Sequence, residues 1–222
     1  MVKLKDTQWE NLAKLQAGIV TCPHLTACRS ECPKLVRDER PIPDFIGVDY
    51  AGLVIIATNP GTKKAGKSNH DSERRSLADD LAKKPSIHRL KILSKTLDPI
   101  MLNWQSTLTN QKWRNELSLP VPRLAAINLI KCRTTAPDND PFSMSKSVAH
   151  RCFETHTKPL LAILNPTHAI GQWKGAANAL PRLWPDRFPA APPSFNGKRD
   201  LRDGQKTTAI LPVIDAFNVA PK

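Results

Sequence analysis

The fold of this chain is decided by the stretch Leu53-Val54-Ile55-Ile56-Ala57-Thr58-Asn59-Pro60-Gly61. Its first five residues form a continuous apolar run, which is typical of a strand buried on both faces of a parallel sheet. Pro60 and Gly61 then interrupt the run, because proline and glycine favour turns over extended strands. The stretch therefore predicts a buried parallel strand with a polar turn at its carboxyl end.

Three further apolar runs predict strands beside the first one, over residues 124–130, 167–171 and 208–214. Helical patterns separate the strands, over residues 5–17, 76–97, 144–164 and 175–180, and Ser143 is placed to cap the third helix. The predicted loops are 22–44, 62–75, 98–120, 134–142 and 181–206. Strands that alternate with helices imply right-handed crossovers and helices on both faces of a parallel sheet. We therefore predict a single α/β domain over residues 1–222, a three-layer α/β/α fold around a four-stranded parallel sheet, with a Cys-rich segment (about 20–45) packed on it.

The net charge indicates nucleic acid as a partner. The chain carries 33 Lys and Arg against 20 Asp and Glu, a formal charge of +13 at pH 7. The basic residues are spread over residues 63–75, 83–95, 112–114, 131–133 and 198–206 rather than gathered in one tail. A surface of this charge attracts polyphosphates, so DNA is the predicted partner. A basic protein with no nucleic-acid partner is the alternative on charge alone.

No stretch of the sequence predicts a membrane segment or a secretory signal. The chain contains no run of about 18 apolar residues, the length that a membrane-spanning helix requires. The start Met1-Val2-Lys3-Leu4-Lys5-Asp6 is not followed by the apolar core of a signal peptide. We therefore predict a cytoplasmic protein without membrane contact, and we expect it to be a monomer.

Five cysteines in a reducing compartment favour metal binding or burial over disulfide bonds. Four of them could act together. Cys28 and Cys32 lie in a predicted loop, Cys132 follows the second predicted strand, and Cys152 lies in a predicted helix. Two neighbouring and two distant thiols suffice for zinc or for a [4Fe–4S] cluster, and their spacing does not choose between them. Cys22 is a fifth thiol that could replace Cys28. Buried thiols without a metal are the alternative.

The histidines outside the predicted loop 62–75 add no metal site to this pattern. These residues are His24, His88, His150, His156 and His168, and they show no ligand spacing shared with carboxylates. His150 and His156 lie six residues apart, so they do not share one face of a helix. We predict that all of these histidines are ordinary surface or capping residues.

Polar residues follow the first two strands at the edge where α/β sheets bind ligands, beyond the carboxyl ends of the strands. Asn59 follows the first strand, where its amide can enter the crevice, and Gly61 lets a backbone N–H approach a ligand. Asn128 lies in an otherwise apolar strand, where an amide costs free energy unless it finds partners. A simple Pro-Gly turn and a hydrogen-bonded structural Asn are the alternatives to a binding site.

Three short motifs resemble the uracil-DNA glycosylase superfamily. The run Asn128-Leu129-Ile130-Lys131-Cys132-Arg133 is similar to the Asn-x-x-Lys-Cys-Arg run of its iron–sulfur branch. The segment Cys32-Pro33-Lys34-Leu35-Val36 resembles the Cys-Pro-Arg-Leu-Val segment of that branch, although Cys28 and Cys32 form a Cys-x3-Cys pair where the branch has Cys-x2-Cys. The turn Asn59-Pro60-Gly61 is similar to the Gly-x-Asn-Pro-Gly turn of the mismatch-specific and single-strand-selective members, with Ala57 in place of the first Gly. The resemblance covers roughly residues 22–180.

The resemblance implies a monofunctional DNA glycosylase, an enzyme that flips a nucleotide out of DNA and hydrolyses its N-glycosidic bond. It implies that Asn59 positions the attacking water, with Asp71 as a base or as a counter-charge to the sugar. It implies that Asn128 reads the Watson–Crick edge of the base. The other implied base-binding residues are Gly61, His70, where relatives place a stacking aromatic, and Asp215, near the position of a missing motif histidine. A structural [4Fe–4S] cluster is favoured over zinc, on the ligands Cys28, Cys32, Cys132 and Cys152.

The substrate that the resemblance implies is a non-standard pyrimidine. Uracil is the usual base of the superfamily, but the missing aromatic and histidine favour an altered pocket. A bulky modified base of phage DNA, which some members remove as a defence, would fit such a pocket. Asn218 could replace Asp215, and Phe217 could be a wedge in the DNA stack or a core residue. A non-catalytic iron–sulfur DNA-binding module and an unrelated zinc-stabilised nucleic-acid-binding protein are the alternatives.

Overall fold

The computed structural model describes residues 3–60, 69–96, 121–135, 140–195 and 210–219, and the side chains of 69–72 and 195 lie outside this description. Within these ranges the strands of the sheet are β1 (Phe45–Ile46), β2 (Leu53–Ala57), β3 (Leu124–Asn128), β4 (His168–Gln172) and β5 (Ser194–Phe195). Their order across the sheet is β1-β3-β2-β4-β5. β2 pairs in parallel with β3 and β4, β4 pairs in parallel with β5, and β1 runs antiparallel to β3. The protein is therefore of the α/β class with a mixed sheet.

The helices are α1 (Asp6–Val20), α2 (Leu25–Glu31), α3 (Asn69–Lys83), α4 (Pro141–Met144), α5 (Lys146–Cys152), α6 (Lys158–Leu164), α7 (Lys174–Leu183) and α8 (Leu211–Val219). Residues 87–96 are also helical, and a π-helical turn, Phe153–Thr157, joins α5 to α6. Pro159, in the first turn of α6, gives a physical reason for the π turn. Proline has no N–H to donate to the carbonyl four residues earlier, and its ring clashes with that carbonyl in a regular α-helix.

β2 lies at the centre of the core because its side chains are apolar. The four residues from Leu53 to Ile56 are at most 2% exposed. Gly171 in β4 lets α7 pack closely on the sheet, since a Cβ at this position would lie 2.5 Å from Ala177 Cβ. From β2 the chain continues to β3 on one side and then to β4 on the other side. The carboxyl end of β2 is therefore the point where α/β sheets form a ligand crevice.

Two parts of the predicted sheet are wrong. The sheet is not four-stranded and purely parallel, because β1 pairs antiparallel with β3 and, at two residues, is too short to show a pattern. The predicted strand over residues 208–214 is helical from Leu211 onward, as α8, while 208–209 lie outside the described ranges. Ile214 and Phe217 are buried three residues apart, on one face of this helix, and Asp215 is exposed. Short apolar runs do not distinguish a strand from a helix by periodicity.

The first three predicted strands are confirmed as β2, β3 and β4, and the predicted helix over 5–17 is confirmed as α1. α3 begins at Asn69, so the predicted loop over 62–75 is wrong from that residue on, and the predicted loop over 22–44 contains α2. The π turn interrupts the predicted helix over 144–164. Its cap is Ser145, whose Oγ accepts a hydrogen bond from Val148 N–H at 3.3 Å, rather than Ser143. The predicted loop over 98–120 lies outside the described residues.

Candidate functional site

The carboxyl ends of β2 and β3 bring Asn59 and Asn128 to the same edge of the sheet. Ala57, the last residue of β2, pairs with Asn128 in the parallel register. The pairing continues past both strands, since Ile130 N–H donates to Thr58 O at 2.8 Å. Asn59 is the next residue along the chain, and the side chains of both asparagines are partly exposed. Two amide groups therefore lie where ligands enter sheets of this class.

A buried ion pair holds Asn128 in place. Lys131 Nζ lies 2.5 Å from Asp44 Oδ2, and the two side chains are 1% and 0% exposed. Asp44 Oδ1 accepts a hydrogen bond from Asn128 N–H at 2.8 Å, and Asn128 Nδ2 lies 3.5 Å from the same oxygen. Lys131 Nζ also donates to Asn128 O at 2.5 Å, and Thr157 Oγ1 donates to it at 3.2 Å. The backbone and the amide of Asn128 are therefore fixed by charged and polar groups.

The partner of Lys131 was not predicted from the sequence, although the position of this lysine in an apolar run indicates that it needs one. Lys131 stands in an apolar run, between Ile130 and Cys132, and a lysine buried there requires an anionic partner because an unpaired interior charge is strongly destabilising. Asp44 supplies this charge from the end of the Cys-rich segment. Its backbone N–H donates to Gln16 Oε1 at 2.8 Å, which anchors the segment on α1. Nothing in the sequence around Asp44 marks it as that partner.

Four of the five cysteines line one cavity. They are Cys22, Cys28, Cys132 and Cys152. We call this space the thiol cavity; His156 and Arg151 also line it, and it is small, about 20 Å³. None of the five cysteines forms a disulfide. The predicted grouping of a loop thiol, a strand-end thiol and a helix thiol is therefore present, with Cys22 added to it.

The thiol cavity contains polar hydrogen atoms that point at sulfur. Lys131 N–H lies 3.3 Å from Cys152 Sγ, and an N–H of Arg151 donates to Cys28 Sγ at 3.6 Å. His156, only 4% exposed, has its Nε2 3.1 Å from Cys22 Sγ. The prediction that His156 is an ordinary surface or capping residue is wrong, because the π turn directs this side chain inward. Hydrogen bonds of this kind are the outer-shell contacts that tune metal-bound sulfur.

Burial sets the protonation of these thiols. Burial, and after it the charges of the neighbouring thiols, raises the pKa of Cys132 to about 12. Burial also raises the pKa of Cys152 to about 12, and Lys131 opposes this effect. The pKa of Cys22 is raised by the same cause. Burial lowers the pKa of His156 to about 4, so its imidazole is neutral. The thiols of Cys22, Cys132 and Cys152 are therefore protonated at neutral pH unless a cation takes the place of their protons.

Cys32 does not line the thiol cavity. It is 1% exposed and lies in a buried cluster with Cys28, Cys132, Met144 and Val148. Its Sγ lies 3.6 Å from the carbonyl oxygen of Met144, so the thiol is the donor in this contact. Of the predicted ligand set, only Cys28, Cys132 and Cys152 therefore meet at one cavity. Within the described ranges, no group of three or more His, Cys, Asp or Glu side chains is arranged to hold a metal ion.

Three other predicted site residues lie outside the described part of the site. Gly61 lies outside the described residues, while His70 and Asp71 form the first turn of α3 with side chains that are not described. Their roles stay predictions. The helix itself is informative, since an Asn-His-Asp sequence opens a 15-residue helix instead of lying in a loop.

The remaining candidate, Asp215, does not follow a strand. It lies on the exposed face of α8, whose other face buries Phe217 at 1% exposure. The Phe217 ring lies 5.9 Å from the ring of His168 and 4.7 Å from the guanidinium of Arg123. These two residues stand at the amino ends of β4 and β3, opposite the edge that carries Asn59. Phe217 is therefore a core residue, and the premise that put Asp215 in the base pocket is wrong.

The end of β4 contributes two residues that the sequence analysis missed. Gln172 is 3% exposed, and its Oε1 has no hydrogen-bond partner among the described residues. Trp173 follows with φ at 76°, a left-handed conformation that costs about 1–3 kcal/mol for a residue with a side chain. Strain and unpaired buried polar atoms cluster at functional sites in general. Gln172 ends β4, the strand next to β2, and Trp173 follows it, at the same edge as Asn59. The sequence does not mark these two residues, because a five-residue strand is too short for its pattern of apolar and polar residues to be informative.

No helix in the described ranges is both long enough and apolar enough to span a membrane.

Comparison with known proteins adds no family to this description. No protein-family model matches the chain, and no curated protein matches it significantly.

Proposed function

We propose that this protein is a DNA glycosylase that hydrolyses the N-glycosidic bond of a flipped, non-standard pyrimidine. The observation that carries the proposal is the pair of amides, Asn59 and Asn128, at the carboxyl ends of adjacent parallel strands. Sheets of this class bind ligands at this edge, and the charge of +13 favours a polyphosphate ligand. The three-layer α/β/α arrangement that the motif resemblance implies belongs to the same proposal.

Asn128 reads the edge of the extruded base in this proposal. Its amide carries an acceptor and a donor side by side, which complements the adjacent polar groups on the edge of a pyrimidine. Asp44 selects one of the two flipped orientations of this amide, since Nδ2 faces the carboxylate at 3.5 Å and the amide oxygen turns away from it. The buried pair of Asp44 and Lys131 thus positions the reading group before a base arrives.

Asn59 positions the attacking water against C1′ of the sugar. The C1′–N bond breaks, the water oxygen bonds to C1′, and the pyrimidine leaves with the electron pair of the broken bond. Hydrogen bonds from N–H groups stabilise this anionic leaving base. Asp71 accepts the proton of the water or balances the positive charge of the sugar. The products are a free base and an abasic site.

The thiol cavity holds a structural [4Fe–4S] cluster in this proposal. When bound, the cluster ties together the Cys-rich segment, the residues after β3 and the end of α5, without an electron-transfer step. Lys131 connects the two sites, because its backbone N–H donates to Cys152 Sγ while its ammonium group contacts Asp44 and Asn128 O. We therefore expect loss of the cluster to loosen Asn128 as well.

Base release from defined oligonucleotides tests the proposed activity. The panel contains uracil, hypoxanthine, 5-hydroxymethylcytosine and its glucosylated forms, each followed by alkaline cleavage of abasic sites. We expect cleavage at uracil or at a modified pyrimidine, and no strand break before alkali, because no lysine is assigned as a Schiff-base nucleophile. Silence on every substrate, with DNA binding intact, would instead support a non-catalytic iron–sulfur DNA-binding module.

The metal content separates the remaining alternative. A brown preparation that absorbs at about 400 nm and contains iron and sulfide supports the cluster. A colourless preparation with one zinc per chain would support a zinc-stabilised nucleic-acid-binding protein. Both measurements use the protein as purified and do not depend on any DNA substrate.

A further inference from the structure

We propose that the cluster ligands are Cys22, Cys28, Cys132 and Cys152, and that Cys32 is not a ligand. We propose further that His156 donates a hydrogen bond to the Cys22 sulfur. This assignment rests on the proposed cluster, and it departs from the pair of Cys28 and Cys32 that the motif resemblance implies. The spacing of the amino-terminal ligand pair becomes Cys-x5-Cys.

The first argument is which thiols share a space. The thiol cavity is lined by every cysteine except Cys32. Four ligands on one cavity are the number that a [4Fe–4S] cluster requires.

The second argument is the direction of the hydrogen bonds. Cys28 and Cys152 Sγ each face an N–H group, from Arg151 and from Lys131, as a ligating thiolate requires. Cys32 Sγ faces the carbonyl oxygen of Met144, an acceptor to which its S–H donates. A thiolate at Cys32 would be repelled by this oxygen, so a ligand role would require Cys32 to leave its present contact.

The local backbone explains why the side chains of Cys28 and Cys32 point in different directions. α2 ends at Glu31, and Cys32 follows in an extended conformation with φ at −132° and ψ at 91°. Its side chain therefore leaves the helix face that carries Cys28. Cys22 precedes α2, and Leu25 N–H donates to Cys22 O at 3.3 Å, so this residue is held at the start of the same short helix. Cys22 precedes α2, Cys28 lies within it, and both line the cavity.

His156 completes the environment of Cys22. It reaches the cavity from the π turn that follows Cys152, with Nε2 at 3.1 Å from Cys22 Sγ. Turns of this kind are frequent at functional sites. An Nε2–H that donates to a metal-bound sulfur would stabilise the charge of the cluster and its retention.

A [4Fe–4S] cluster needs more room than the thiol cavity has in this structure. In a [4Fe–4S] cluster each thiolate binds a different iron atom, so the sulfur atoms stand farther apart than around zinc. The space between the side chains is about 20 Å³, room for about one water molecule, so the thiols must move apart when the cluster binds.

Paired cysteine variants of the full chain test the ligand set. We expect the wild-type chain to carry about four iron atoms and four sulfides. Cys22→Ala should lose most of this iron and the absorption at about 400 nm, whereas Cys32→Ala should keep the wild-type content. Far-UV circular dichroism shows whether each variant is folded. If Cys32→Ala does not fold, Cys32→Val fills the same buried volume and serves in its place.

His156→Ala gives a readout that the ligands do not. We expect wild-type iron content at purification but about tenfold faster bleaching in excess chelator, the effect of losing an outer-shell hydrogen bond. Iron loss in folded Cys32→Ala with retention in Cys22→Ala would overturn the ligand set, and complete iron loss in His156→Ala would make His156 a ligand. A wild-type chain with zinc and no sulfide would overturn the cluster itself. The result of the base-release assay bears on the proposed glycosylase activity and not on the ligand set.

Discussion

Asn59→Ala should lower the rate of base release by about 100- to 1,000-fold, the loss seen when one positioned polar group is removed from a transition state. The variant should still bind DNA with wild-type affinity, because phosphate contacts supply most of the binding free energy. It should also stay folded. The contact from Asn59 Nδ2 to Met144 Sδ is long, at 3.8 Å, and thioether sulfur is a weak acceptor, so its loss costs little.

The matched control is Asn11→Ala, which removes the same group from an exposed position of α1. Single-turnover assays under saturating enzyme separate the chemical step from binding, and fluorescence anisotropy measures DNA affinity. An Asn59→Ala variant with wild-type turnover would remove Asn59 from the mechanism. Equal losses in Asn11→Ala would show that the assay reports stability instead of chemistry.

Lys131→Met should destabilise the protein by about 3–5 kcal/mol, the cost of leaving one partner of a buried ion pair without the other. Asp44 is 0% exposed, so its carboxylate cannot recover hydration once the ammonium group at 2.5 Å is gone. For a chain of this size the loss corresponds to a fall in Tm of roughly 6–20 °C. Asn128 loses a hydrogen bond to its carbonyl at the same time, so base release should also fall.

Lys158→Met is the control for this substitution. Lys158 Nζ lies 2.9 Å from Glu154 Oε2, but both side chains are largely exposed, at 40% and 53%. Exposed pairs of this kind contribute about 0–1 kcal/mol, so the Tm should change by only a few degrees. Thermal unfolding followed by circular dichroism compares the two variants. Equal Tm values for Lys131→Met and wild type would mean that Asp44 finds another partner or takes up a proton.

The first three strands could be predicted from sequence because each is a buried apolar run next to a turn signal. The fourth predicted strand was wrong, although it was also predicted from an apolar run. Residues 211–214 are as apolar as a strand, and only the burial of Phe217, three residues beyond Ile214, reveals the helical period. Local sequence could not settle this, because a tertiary contact with Arg123 and His168 holds the helix end.

The site shows the same division between local and distant information. The shared position of Asn59 and Asn128 was predictable, because both lie at the carboxyl ends of strands and the ends of parallel strands meet at one edge. Asp44 was not predictable, because its role depends on the burial of Lys131, which lies 87 residues away along the chain. Which cysteines meet was not predictable either. Spacing places Cys32 near Cys28, but the end of α2 turns its sulfur towards Met144.

The π turn between α5 and α6 sets the rotational phase of everything that follows it. Each residue of an α-helix advances the side chains by about 100°, and a π turn holds one residue more than an α turn. The extra residue lets one continuous helical rod present Cys152 and His156 to the thiol cavity and still present Leu160 and Leu164 to the core. Deletion of a single residue from Phe153–Thr157 would turn α6 by about 100° relative to α5. The length of this segment is therefore constrained as strictly as the identity of any residue in it.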